Sequence, residues 1–261
     1  MDRSFLSDDI LVEASREFVC VRLTTYENEE EHEFMEELNT RGVQNTTFAL
    51  LSPDTKEIFV QPSRSPQFQF RNPFQLAALM HEIAAKYTKQ PSVESSGILP
   101  ISADVRIGLN IAAADKLPLV VAVGDKKTEV SGLQEKLKAI AWKGKLIGRC
   151  VYASTADKKD LQNIRFDKKP KSGYFVVQPG EFGINGTVLA SIDIGVSGRE
   201  LEESIAKGIA KHKKHKSVDH RTHIENGAKA GVFWDTPVKV SDPMEANARS
   251  RTKQLIERNN K

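Results

Sequence analysis

Two stretches of the 261-residue chain hold residue types able to do chemistry. The first is Cys20 with Arg22, inside an apolar run over 18–24 whose composition predicts a β-strand. Alternate residues of a strand share a face, so Phe18, Cys20, Arg22 and Thr24 point one way, and Val19, Val21 and Leu23 the other. Arg22 would then lie about 7 Å along the strand from Cys20. A guanidinium at that range favours the thiolate, which is both the nucleophile and the ligand for soft metals. A single-cysteine redox or soft-metal site would follow. The competing and favoured reading pairs Arg22 with Glu27 or Glu31 of the acidic stretch that follows and leaves Cys20 to fill core. Cys150 has Arg149 beside it in sequence, hence on the opposite face of its expected strand, which weakens its case for reactivity.

The second stretch is Lys211-His-Lys-Lys-His-Lys-Ser-Val-Asp-His-Arg-Thr-His223. It gathers His212, His215, His220 and His223, four of the six histidines. Two lie three residues apart at the end of an expected helix, and two more lie three apart just beyond. A pair so spaced can face one ion, and imidazole suits zinc, copper or nickel. Lys211, Lys213, Lys214, Lys216 and Arg221 would surround that ion with positive charge, opposed by Asp219 alone. The electrostatics therefore favour a basic helix terminus fraying into solvent, ahead of contact with phosphate or nucleic acid and ahead of metal binding. The aromatic residues Phe233 and Trp234 come too late to interleave with these cations as a base-stacking surface would need.

No other pattern of this kind is present. Gly180, Gly183 and Gly186 fall in an expected hairpin turn and do not open a helix, as a nucleotide loop requires. Ser197 reads as a helix cap and lies outside any Gly-x-Ser-x-Gly elbow. The carboxylates from Glu29 to Glu37 are too many and too exposed to single out an acid and a base. No cofactor is expected, and the residues lean away from an enzyme.

The elements that position these residues are clearest over 117–214. An apolar run at 117–124 closed by glycine predicts a strand buried on both faces. Val130, Leu133, Leu137, Ile140 and Ala141 give the next segment a helical stripe. A strand over 147–153, a short helix over 156–164, and strands over 173–178 and 187–192 follow. Ser197 with Glu200 forms a capping box ahead of a helix carrying Leu201, Ile205 and Ile209. In the first half, Asp8 or Asp9 caps a helix, 18–24 is a strand, 28–38 an acidic helix, 46–51 and 56–60 a hairpin, and Asn72-Pro73 starts another helix. A Ser, Pro and Gly linker at 91–102 precedes a helix over 103–115.

The second half reads βαβαββα, an order that resembles the thioredoxin fold over about a hundred residues. Pro170 stands where members of that family carry a cis-proline before the third strand. The resemblance stops short of the family's Cys-x-x-Cys motif: the first strand-to-helix junction is Gly124-Asp-Lys-Lys-Thr128, without sulfur. The first half, αβαββα, resembles a shortened copy, with Thr46 at the proline position and Thr24-Thr-Tyr-Glu-Asn28 at its junction. The expected class is therefore α/β: two thioredoxin-like domains with mixed sheets at 1–90 and 103–216, and a helical C-terminal extension over 217–261. Within the extension, a short helix over 224–229 leads to the apolar arm 232–237, expected to pack on a domain or a neighbouring chain. A final polar helix follows, capped by Asp242.

Composition bounds the rest. Apolar content of 39% and charged content of 28% suit a soluble globular chain. No apolar stretch nears membrane-span length, and Met1-Asp-Arg-Ser lacks a signal peptide's layout, so a cytoplasmic location is expected, with a mature exported form the alternative. Two cysteines argue against a disulfide scaffold. Residues 1–100 carry nine basic against sixteen acidic side chains and the remainder 29 against 19, a polarity that suits self-association or anionic partners. The expected function is a redox-inactive, non-catalytic protein-binding or assembly module. The alternatives are single-cysteine chemistry at Cys20 and anion or nucleic-acid binding through the basic region.

Overall fold

The structure is a computed structural model that describes residues 5–39, 42–44, 46–87, 99–102, 104–216 and 218–259. These residues form a mixed α/β protein with eight α-helices and two sheets. The chain divides into two compact units, one made of Met1–Gln90 with Ala228–Lys261 and the other of Pro91–Gly227.

In the first unit, Asp8 caps helix α1 (Asp9–Ser15) by accepting from the Ile10 N–H, and α1 buries Leu11 and Ala14. Asn28 likewise caps α2 (Glu29–Leu38), whose first turn holds three carboxylates favoured by the helix dipole and which buries only Met35. Strands β1 (Phe48–Leu51) and β2 (Ile58–Ser63) pair antiparallel across a turn in which Ser52 Oγ donates to Asp54 and Thr55 takes a φ of 62°. Helix α3 (Pro73–Ala84), capped by Asn72 with proline at its first position, packs Leu76, Ala77, Met80 and Ile83 against Leu11, Ala14, Leu50 and Val60.

One expected element of this unit is not formed. Residues 18–24 run without a strand partner, and Val19 and Val21 are 92% and 72% exposed. Strand-like composition builds a strand only where a neighbouring chain segment takes its backbone hydrogen bonds. The first half is thus two helices, a two-stranded hairpin and a third helix, in place of the expected αβαββα.

The second unit is built on a five-stranded mixed sheet. Helix α4 (Val105–Asp115) leads into β3 (Leu119–Val123), α5 (Lys127–Ala141) and β4 (Val151–Thr155). The helix expected over 156–164 is a single 3-10 turn, Lys158–Leu161, followed by the short strand β5 (Ile164–Arg165). Asp157 closes that turn onto the Lys159 N–H, and Thr155 Oγ1 donates to Asp160, so side-chain hydrogen bonds take the backbone where an α-helix would start. Strands β6 (Gly173–Pro179) and β7 (Gly186–Asp193) then form a hairpin, and α6 (Gly198–Ala210) opens on the expected Ser197–Glu200 capping box. The strand order is β4-β3-β6-β7-β5, with β3 parallel to β4, β6 antiparallel to both neighbours, and β5 parallel to β7. The described peptide bonds are all trans, including that of Pro170, where the family resemblance implied cis.

Alternation along β3 explains the layering. Val120 and Ala122 meet Leu133, Leu137 and Ile140 of α5 and Leu201, Ile205 and Ile209 of α6, while Leu119, Val121 and Val123 meet Val105, Leu109 and Ala112 of α4. The sheet is covered by two helices on one face and by α4 on the other. At the hairpin tip, Gly183 has a φ of +68° and approaches so closely that a Cβ would lie 2.7 Å from the Asn110 Cα, while Asn110 Nδ2 donates to the Gly183 carbonyl at 2.7 Å. Much of the expected linker lies outside the described residues. Leu99–Ser102, by contrast, is built into this unit: Ile101 bridges Tyr152 in parallel and the Ser102 N–H donates to the Tyr152 carbonyl.

Helix α7 (His220–Lys229) and the final helix α8 (Pro243–Asn259) are both formed. The segment between them belongs to the first unit. Trp234 Nε1 donates to Glu27 at 3.1 Å, the Val238 N–H donates to the Tyr26 carbonyl, and Asp242, 1% exposed, pairs with Arg64 at 2.8 Å. Asp242 also caps α8 through the Met244 N–H, as expected of Asp before Pro. The Arg249 guanidinium donates to the Trp234 carbonyl and lies over the Phe233 ring, so the polar α8 is tied to the arm through its charged face.

Candidate functional site

Cys20 is exposed and its thiol makes one weak contact, donating to the Ser15 carbonyl at 3.7 Å. Arg22 is exposed as well. The strand expected to set both on one face is not formed. The two expected carboxylates have structural duties: Glu31 accepts from the Thr24 N–H and Oγ1, and Glu27 from Trp234. Cys150 sits just ahead of β4 at 8% exposure, and burial pushes its thiol up to about 11.

The β3–α5 junction is built differently from a thiol site. Glu129, in the first turn of α5, accepts from the Asp125 N–H at 2.6 Å and from Ser172 Oγ at 3.0 Å, which ties the helix start to the segment entering β6. Lys158 donates to Asp125 at 2.6 Å and holds that carboxyl below the usual carboxylate range. Gly124 has no room for a side chain: a Cβ would lie 2.9 Å from Val130 Cγ2 and 3.0 Å from the Val130 nitrogen. The result is an open depression lined by Asp125, Lys126, Thr128 and Glu129, in which the helix dipole is met by the protein's own carboxylate.

The basic stretch after α6 does not fray. His212 Nε2 donates to the Lys116 carbonyl at 3.0 Å and His215 Nε2 to the Pro179 carbonyl at 2.8 Å, which fixes the proton on Nε2 in each ring. Gln178 clamps the Lys213 backbone from both sides, accepting from its N–H at 2.9 Å and donating to its carbonyl at 3.1 Å. Burial holds His212 below the ordinary histidine value, assisted by the neighbouring Lys214, and its Nδ1 is buried without a hydrogen-bond partner.

His223 stacks on Phe182 with ring centroids 5.1 Å apart, and the side chain of His220 lies outside the described residues. Three of the four histidines expected as a ligand set are thus separately engaged. Among the described residues no group of three or more His, Cys, Asp or Glu is placed to hold a metal ion. Arg221 is paired with Glu225 at 2.9 Å on its own helix, whereas Lys213, Lys214 and Lys216 are exposed with no carboxylate partner among the described residues.

Sequence reasoning missed the turn over 142–149, which joins α5 to β4 and presents Trp142, Lys143, Lys145, Ile147 and Arg149 outward around buried Leu146. The signal was present, since Trp142 is interleaved with Lys143 and Lys145 without an acidic residue before Tyr152. Among the described residues no helix is long and apolar enough to cross a membrane. Comparison with protein-family models, with curated proteins and with solved structures found no match.

Proposed function

We propose that the second unit is a thioredoxin-like binding module without dithiol chemistry. What supports the fold reading is the strand order β4-β3-β6-β7 with a parallel βαβ crossover and an antiparallel hairpin, with α5 and α6 on one face of the sheet. Helix α4 covers the opposite face, next to the place where the second crossover helix has shrunk to one turn. The first unit, with its two-stranded hairpin, is a separate helical and hairpin body in this reading and not a second copy.

The observation that carries the non-catalytic part is the Glu129 carboxylate, bonded to the Asp125 N–H and Ser172 at the helix start where a redox member would hold its nucleophilic sulfur. Cys150, the one thiol in this unit, is buried and held protonated. The scaffold is left with surfaces to present, and binding is the activity it supports. The test is reduction of an insulin disulfide by a dithiol, with and without the purified protein. The expected rate equals that of the dithiol alone, and acceleration that survives Cys20→Ser would overturn the reading.

A further inference from the structure

Two basic segments of the second unit converge on one end of its sheet, where β3 and β4 begin and β6 ends. The Val151 N–H donates to the Pro118 carbonyl at 3.0 Å, which brings the 142–149 turn beside residues 116–118. His212 binds the Lys116 carbonyl from the other side. Lys143, Lys145 and Arg149 therefore share this end with Lys116, Lys211, Lys213, Lys214 and Lys216, and neither basic segment contains a carboxylate. Lys143 is paired with Glu202 at 3.5 Å, and Lys211 donates to the Leu189 carbonyl. Lys145, Lys213, Lys214 and Lys216 have no ion-pair partner among the described residues.

Holding like charges together is unfavourable, and a free segment would spread them into solvent. This one is restrained by Gln178, His212 and His215, and its lysines remain outward. The turn is restrained in the same way: Leu146 is fully buried, and the Leu146 and Ile147 N–H groups both donate to the Lys143 carbonyl. The cations are thus pre-positioned across β4, β3 and β6, a span of about 10 Å at ordinary strand spacing. Such a row suits successive phosphates better than one compact anion. At its margin Trp142 is 43% exposed, a flat apolar face of the kind that takes an unpaired base.

We propose that this end of the sheet, formed by Trp142, Lys145, Arg149, Lys213, Lys214 and Lys216, binds single-stranded nucleic acid through backbone phosphates and base stacking. The proposal rests on the binding-module reading and names its ligand class. The strongest rival surface is an anionic membrane, because Ile147, in the same turn as Trp142, is 50% exposed.

The experiment measures fluorescence anisotropy of a labelled 20-nucleotide oligouridine with the full chain, at 50 and 200 mM salt, alongside sedimentation with phosphatidylserine vesicles. Contact with four phosphates predicts a weakening of about 50-fold over that salt range. The Lys213→Glu, Lys214→Glu double variant should weaken binding at least tenfold and flatten the salt dependence. Trp142→Ala should weaken it by about 5- to 150-fold with the salt slope kept. All altered side chains are exposed, and circular dichroism melts verify folding.

Absence of oligouridine binding at 50 mM salt, binding unchanged in either variant, or binding to vesicles without oligouridine would each overturn the proposal. None of these outcomes bears on the non-catalytic scaffold, which is judged separately by the disulfide-reduction assay.

Discussion

Arg64 and Asp242 lie 178 residues apart in sequence and meet at 2.8 Å, with the aspartate side chain 1% exposed and the arginine 33%. The pair joins the end of β2 to the cap of α8. Asp242 also receives the Met244 N–H, and its own N–H donates to the Tyr26 hydroxyl, so one buried residue fixes the arm at three points. Asp242→Ala should destabilise the first unit by about 3 kcal/mol, because it removes a buried ion-pair carboxylate and a helix cap. Chemical denaturation followed by hydrogen exchange checks this. Amides of α8 should exchange faster in the variant while those of β3 and β6 keep their protection.

His212 gives the second unit a pH dependence of known sign. Its folded value lies below that of an ordinary histidine, chiefly through burial, so the folded state binds fewer protons than the unfolded chain as pH falls through the unfolded value. The contribution is intact above the unfolded value, is lost as pH drops below it, and levels off beneath the folded value. Protonation would also place an N–H on a buried Nδ1 that has no acceptor. Melting temperature should therefore fall between pH 7 and pH 5.5. His212→Gln, which keeps a donor for the Lys116 carbonyl, should flatten that part of the profile.

The two thiols should separate cleanly under alkylation. Cys20 is exposed and should react with a maleimide at neutral pH in the folded protein. Cys150, buried and pushed up to about 11, should react only after denaturant is added. Mass spectrometry of tryptic peptides distinguishes them, and equal labelling of both in native buffer would contradict the burial of Cys150.

Glu129 is the residue that closes the β3–α5 junction. Glu129→Ala removes the acceptor for the Asp125 N–H and Ser172 Oγ together with a negative charge in the first turn, for a loss of about 1–2 kcal/mol. Glu129→Gln keeps an acceptor and should lose less than 1 kcal/mol. The shift of the urea midpoint measures both.

Legibility in the sequence tracked how local the determining interaction is. The apolar stripes of α5 and α6, the Ser197–Glu200 box, the Asn72-Pro73 start and the continuous apolar run of β3 are short-range patterns, and each formed where the residues said it would. The run at 18–24 has strand composition, but a strand needs an edge to pair with, and that is a property of the whole sheet. The Thr155–Asp160 and Asp157–Lys159 bonds that replace the expected helix after β4 are local, yet they are hard to weigh against helix propensity. The anchoring of the basic segment was invisible because its partners, the carbonyls of Lys116 and Pro179, carry no side-chain signature and lie 96 and 36 residues away. For the same reason nothing in the sequence marks His212 and His215, two of the four histidines spaced like metal ligands, as donors to carbonyls.

The first unit takes its residues from both ends of the chain, Met1–Gln90 and Ala228–Lys261, and the second unit occupies the interval. During synthesis the intervening sheet has all its parts while Arg64 still awaits Asp242. The amino-terminal body therefore stays unfinished until the segment carrying Asp242 has been made, well after the sheet of the second unit is complete.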